Sequence, residues 1–436
     1  MTGTDEPMHV SDARRSSLSR GRVLVITVLV LYFACVAIKA QRTGWVSGWR
    51  MMGVQSLTPP FKDGELLLRS FDRYRDGIPI PQVEKDSPYP PIWLWTFGPT
   101  GLSESDAVAV GVITGAAVTV MTVLFLGQLT LLEGAFAALL LISPCFMLGI
   151  ERGNGDSFVF MIAVCAIWLL AHCARSALAA AFLILWAAAL KFYPIAALIA
   201  FIKKQNGWRH IVVCSLLFVA YCLLSLDDLK RIAKYTEGWG RETSLSFGCM
   251  VSFDRLYLFL QQHGAMLPKQ WFELAGLAAA LLLAAVAIGM TARRRLAANL
   301  SVNIAGIGFL AGAAIYLFCF LMGNHYAYRL RWLVLVVPQL LVWIRERGAA
   351  YRRAVATSVV LLCSVYATAW SYGHLRSRAA IPADLINWLL FACLASLLFS
   401  TLRTELLSVL GQSHVGRLLA RAVPLDRQGA ATARER

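Results

Sequence analysis

Residues 177–202 read ALAAAFLILWAAALKFYPIAALIAFI, an apolar run interrupted once, at Lys191-Phe192-Tyr193-Pro194. A bilayer's hydrocarbon core takes about 20 residues of helix. The run is therefore long for one crossing and short for two, and the charges around it decide between them. Taken as one helix, it would leave Lys203, Lys204, Arg209, the Arg293-Arg294-Arg295 triplet and the basic residues from Arg345 to Arg353 on the outer side. Lys and Arg next to spans stay in the cytoplasm. A break near Lys191, Tyr193 and Pro194 into two half-spans returns every cluster to the side of Arg14, Arg15, Arg20 and Arg22. Working outward, apolar windows recur near 23–40, 107–127, 131–149, 157–174, 210–226, 274–292, 301–322, 331–345, 354–371 and 384–402. With the two half-spans they predict an all-α polytopic membrane protein of about 12 transmembrane helices, both termini cytoplasmic.

The composition agrees. Of 436 residues, 58% are hydrophobic and 15% charged, whereas a soluble domain is roughly half apolar and about a quarter charged. The formal charge of +16 sits in short clusters between apolar runs, the pattern of topology signals rather than of a nucleic-acid surface. The ten cysteines form no CxxC and the seven histidines no HExxH. Inert buried thiols are expected, and a structural metal is not. The 23–40 run ends in Ile38-Lys39-Ala40, a poor cleavage site, and is taken as a retained first helix rather than a signal peptide. The organisation is then a cytoplasmic tail (1–22), a transmembrane domain (23–402) with long outer loops at 41–106 and 227–273, and a cytoplasmic, disordered tail (403–436). No internal repeat is visible.

Most of the acidic residues fall on the outer face in this arrangement, and so do the unusual polar groups. In the first outer loop Leu67, Phe71 and Tyr74 recur at helical spacing among charges, which predicts an interfacial amphipathic helix opened by Asp63. Asp63 suits either a helix cap or, with Glu65, a base for an acceptor hydroxyl. Pro88-Tyr89-Pro90-Pro91 bends the chain before Ile92–Phe97 dips toward the membrane. The turn Glu151-Arg152-Gly153-Asn154-Gly155-Asp156 puts four polar side chains beside two glycines, to be explained by internal ion pairs or by function. Lys191 lies far from the cytoplasmic clusters; snorkelling is one account of it, an anionic phosphate at headgroup level held with Arg152, Arg329 and Arg331 the other. Asn324, His325, Tyr326, Tyr328 and Arg329 crowd another turn, where aromatic-belt and solvated-histidine roles compete with ligand binding. Tyr235, Trp239, Arg241, Glu242 and Phe247 in the second long loop are of the kind that stack on and bond sugars.

In order along the chain, Asp63 fourteen residues before Gly77, the Pro-Tyr-Pro-Pro segment, the ERGNGD turn, Lys191-Phe192-Tyr193-Pro194 and Asn324-His325-Tyr326 with Arg329 resemble glycosyltransferase family 87 of the GT-C superfamily. The likeness spans residues 23 to about 370. The resemblance implies a GT-C-type helical bundle in a bacterial-type plasma membrane. It implies transfer of a sugar, mannose above all, from a polyprenyl-phosphate donor to a glycolipid or glycan acceptor on the extracytoplasmic face, with inversion. Asp63 would be the catalytic base. Lys191, His325, Arg329 and Arg152 would hold the donor phosphate. Glu65, Tyr89, Asn154, Asp156, Tyr193, Trp239, Asn324 and Tyr326 would contact substrate. Some relatives carry an adjacent acidic pair or a metal-binding DxD; here the spacing is Asp63-Gly64-Glu65, and a reaction without cofactor is favoured over one with a divalent metal.

Two other classes fit part of the pattern. A transporter or lipid flippase would also use a broken helix, but should carry acidic residues within its spans and an internal repeat. A polysaccharide polymerase or ligase would share lipid-linked substrates without the Asp63 base. A purely structural scaffold would have no need of Lys191 or the ERGNGD turn.

Overall fold

The computed structural model describes residues 18–86, 89–173, 176–237, 245–264, 267–294, 296–370 and 380–412. The protein is helical almost throughout. Eight helices are long and apolar enough to cross a membrane: Arg20–Thr43, Glu104–Phe125, Gly155–His172, Gly207–Leu224, Lys269–Arg293, Ile304–Leu321, Ala327–Glu346 and Ala380–Glu405. Leu131–Leu141 and Pro144–Glu151 add a ninth span, bent by 51°. The bend falls where Ser143 caps the second helix and Pro144 opens it, a position at which proline's missing N–H costs nothing.

The interrupted run at 177–202 is divided as its sequence demands. One helix, Ala177–Leu190, ends where Lys191 turns extended, at φ −153° and ψ 112°. A 3-10 segment, Tyr193–Lys203, starts at Tyr193-Pro194. It packs on Ile304–Leu321, which with Ala327–Glu346 forms the centre of the bundle: 78% of each span window is buried, against 11% for Gly207–Leu224 and 17% for Lys269–Arg293. Close approach at the centre depends on Gly312, where a Cβ would stand 2.9 Å from the Trp332 carbonyl. Small residues allow this packing where no hydrophobic effect drives helices together.

The first long loop folds over one end of the bundle. Lys62–Arg75 is the expected amphipathic helix; Leu67 and Phe71 are buried and Tyr74 half-buried. Ile92–Phe97 follows, with Trp93 donating to the Leu190 carbonyl at 3.0 Å, so the loop is anchored at the broken run. From the second loop, Ser246–Phe247 pairs antiparallel with His325–Tyr326.

At the opposite end the basic clusters gather. Arg345 binds Glu133 at 2.5 Å, Lys203 binds Glu405 at 2.7 Å and Arg353 bonds the Ala297 carbonyl at 2.9 Å. The last helix, Ala380–Gln412, continues ten residues past 402, where the sequence predicts the start of the C-terminal tail, and the rest of that tail, 413–436, lies outside the described residues. The helix extension carries the good helix formers Arg403, Glu405, Leu406, Leu407 and Leu410 and is tied down by the Glu405 ion pair and by Arg403 donating to the Ala292 carbonyl at 3.4 Å.

Candidate active site

The polar residues singled out in distant parts of the chain meet at the end capped by the first loop. The meeting point is the turn at Glu151–Asp156. Asn154 caps the Gly155–His172 helix, its Oδ1 accepting from the Asp156 N–H at 2.9 Å. That bond fixes which way the amide faces. Its Nδ2 then donates to Asp63 Oδ2 at 2.7 Å and to Tyr328 Oη at 3.2 Å. The Lys62–Arg75 helix docks directly on this turn: the N–H groups of Asp63 and Gly64 both donate to the Arg152 carbonyl at 3.1 Å. Gly64 is required by the contact, since a Cβ there would lie 2.8 Å from the Gly153 carbonyl.

Asp63 keeps about a quarter of its side chain exposed, with Arg152 at 3.5 Å on its Oδ1. Asp156 is fully buried and saturated with cations, Lys191 at 3.2 Å on one oxygen and Arg329 at 2.9 Å on the other. The bulk of each cation remains stacked on an aromatic face. Lys191 lies 4.2 Å above the Tyr89 ring and Arg329 5.0 Å from the Tyr193 ring. Both keep some exposure.

Arg329 also donates to His325 Nδ1. That nitrogen is then the acceptor, which puts the proton on Nε2, and Nε2 is buried without a hydrogen-bond partner among the described residues. Burial, aided by the Arg329 charge, holds the imidazole well below its ordinary pKa. It is a neutral hydrogen-bond donor at pH 7.

Other expected residues are placed differently. Glu65 turns away from Asp63 into a network with Lys62, Arg69 and Glu104, in which Lys62 stands at 3.1 Å. Its burial and its partners give it the work of bracing the helix, because Arg69 carries the contact on to Glu104 at 2.7 Å. Arg152 is shared between Asp63 and Glu151, the latter at 3.3 Å. Tyr326 stacks on Tyr328 with centroids 5.6 Å apart, and Asn324 lies half-buried at the same turn. Trp239, like Pro88, Arg241 and Glu242, lies outside the described residues. Among the described residues no three His, Cys, Asp or Glu side chains cluster in a metal-binding arrangement.

For two further members the sequence marks the position but not the partners. Glu151 is fully buried and takes hydrogen bonds from Ser56 Oγ (2.5 Å), the Leu57 N–H (3.2 Å) and Trp45 Nε1 (3.3 Å). Arg331 is buried and donates to Ser157 Oγ at 2.5 Å and to the Tyr328 carbonyl at 3.1 Å. Four cations, Arg152, Lys191, Arg329 and Arg331, thus face three carboxylates, Asp63, Glu151 and Asp156. The surplus positive charge suits an anion arriving at the cleft. No protein-family model, curated protein or solved structure matches this chain.

Proposed function

We propose that the protein is a membrane glycosyltransferase of the GT-C type, transferring a sugar, mannose in the first instance, from a polyprenyl-phosphate donor to a glycolipid or glycan acceptor. The observation that carries this reading is one partly exposed carboxylate, Asp63, oriented by Asn154 beside a net-cationic cleft built on Lys191, Arg329 and His325. A base next to a positively charged site is what displacement at a sugar phosphate requires. Asp63 takes the proton of the acceptor hydroxyl as its oxygen bonds to the anomeric carbon. The bond from that carbon to the phosphate oxygen breaks, and the polyprenyl phosphate leaves with the electron pair, its charge received by Lys191, Arg329 and the His325 Nε2–H. One displacement inverts the anomeric centre.

The topology in this reading has twelve crossings. The eight long spans and the bent pair are joined by Ala177–Leu190, Tyr193–Lys203 and Tyr351–Trp370. The basic end faces the cytoplasm by the positive-inside rule, with both termini, and the Asp63 cluster faces the extracytoplasmic side of a bacterial-type plasma membrane. The lipid phosphate then sits at headgroup level and its chain runs among the helices.

The test is sugar transfer from radiolabelled polyprenyl-phosphate mannose to a panel of glycolipid acceptors, by purified wild type and Asp63→Asn, each with and without EDTA. Transfer by wild type alone, insensitive to EDTA, is the expected result. Turnover by Asp63→Asn at the wild-type rate would remove Asp63 as base. Donor movement across a vesicle membrane without transfer would favour the transporter class instead.

A further inference from the structure

The end of the bundle opposite Asp63 holds a feature the proposed transfer does not use. The C-terminal end of Lys269–Arg293, the first turns of Tyr351–Trp370 and the middle of Ala380–Gln412 enclose a cavity of about 310 Å3. Its lining is mostly apolar, with Ala287, Met290, Ala356 and Ala392, and includes two cations, Arg294 and Arg353. Two of the hydroxyls that line it are engaged: Thr291 donates to the Ala287 carbonyl at 2.7 Å and meets Ser396 Oγ at 2.7 Å.

Arg353 is held differently from the ion-paired cations at this end. Lys203 and Arg345 are paired with Glu405 and Glu133. Arg353 is fixed by neutral groups, Ser400 Oγ at 3.0 Å and the Ala297 carbonyl at 2.9 Å, and its Nε is buried without a partner among the described residues. A guanidinium partly withdrawn from water and unmatched by a carboxylate is costly. An anion in the cavity would offset that cost. The Lys269–Arg293 helix is among the least buried of the bundle, which puts the cavity on a flank that would face lipid in a membrane, with both charged and apolar groups in its wall.

We infer that this cavity binds an anionic phospholipid, with its phosphate between Arg294 and Arg353 and an acyl chain against Ala287, Met290 and Ala392. Basic pockets between transmembrane helices recognise such headgroups by charge, and an arginine fork matches phosphate oxygens. The inference is independent of the transfer reaction, since it involves the far end of the bundle.

Native mass spectrometry of the intact protein, released from micelles containing equimolar phosphatidylglycerol and phosphatidylcholine of the same chain length, tests it. Wild type should retain phosphatidylglycerol over phosphatidylcholine by about tenfold, given the attraction of two arginines for one headgroup. Arg294→Gln and Arg353→Gln should each bring that ratio to about threefold or lower. Ala356→Trp, which fills the cavity without changing charge, should abolish retention of both lipids, and the exposed Arg352→Gln should leave the preference intact. Should Arg353→Gln fail to fold, Arg294→Gln and Ala356→Trp carry the test, as neither residue is buried. Equal retention of the two lipids, an effect of Arg352→Gln as large as that of Arg294→Gln, or displacement of the lipid by inorganic phosphate would overturn the assignment.

Discussion

Asp63 and Asp156 are linked through one side chain, Asn154, yet the fold surrounds them differently. Asp63 sits on a loop helix, partly exposed, with an amide donor on one oxygen and a guanidinium 3.5 Å from the other. Asp156 stands at the start of a spanning helix, fully buried, with Lys191 and Arg329 claiming both oxygens. A carboxylate with a free approach can accept a proton from an incoming hydroxyl. One that is closed in by cations cannot, and instead it fixes where those cations stand. Sequence alone puts Asp63 at the start of a loop helix and Asp156 in a polar turn, and it cannot show that Asp156 is closed in by cations, because that lies in burial.

The sharpest way to break the comparison is to remove each carboxylate in turn. Asp156→Ala leaves Lys191 and Arg329 buried with no counter-charge. Loss of one partner from a buried ion pair costs about 3–5 kcal/mol, so the variant should fail to fold or melt far below wild type in detergent, and its activity goes with the fold. An unchanged melting temperature would show that Asp156 does not organise the site. Asp63→Asn keeps shape and loses basicity. It should melt with wild type and bind donor with wild-type affinity, yet transfer sugar about 10²–10⁴-fold more slowly, the usual worth of general base catalysis. A matching loss of stability would assign Asp63 the structural role of its neighbour.

A smaller change probes the link between them. Asn154→Ala removes the helix cap and the donors to Asp63 and Tyr328 together, at a cost of roughly 1–3 kcal/mol for the groups left unsatisfied. Because Asn154 orients Asp63 and touches no cation, kcat should fall while the donor KM stays within about twofold. A rise in KM with kcat unchanged would put Asn154 in contact with the donor.

Much of this cluster is legible in the sequence because an ionisable residue in an apolar chain is conspicuous. Lys191 marks the break in 177–202, and ERGNGD marks the turn on which the site is built. The pairings are less legible, since they join segments 95 to 174 residues apart: Ser56 with Glu151, Asn154 with Tyr328, Arg331 with Ser157. Glu65 shows the limit most clearly. Two positions from Asp63 on a helix, it faces another side, and its neighbours Lys62 and Arg69 at i−3 and i+4 claim it. The C-terminal helix ran longer than hydropathy suggested because its extension is held by Lys203 and the Ala292 carbonyl, contacts that no window of apolar residues reports.

The smallest expected effect concerns His325, which belongs to the cationic side of the site without carrying charge. Burial, then Arg329, keeps its imidazole neutral in the folded protein, with Asp156 too fully engaged to reverse this and Lys191 acting in the same direction as Arg329. In the unfolded chain it takes a proton near pH 6.5. Below that pH the unfolded state therefore binds one more proton than the folded state, and stability falls as pH drops, by at most about 1.4 kcal/mol per pH unit. Above it the contribution is constant. His325→Gln retains an acceptor for Arg329 and a donor N–H but does not titrate, so its melting temperature should decline less steeply than that of wild type between pH 6.5 and 5, while the two curves run parallel above pH 7. Identical slopes below pH 6.5 would mean that His325 is protonated in the folded site, and the donor phosphate would then meet a third full positive charge there instead of a neutral N–H.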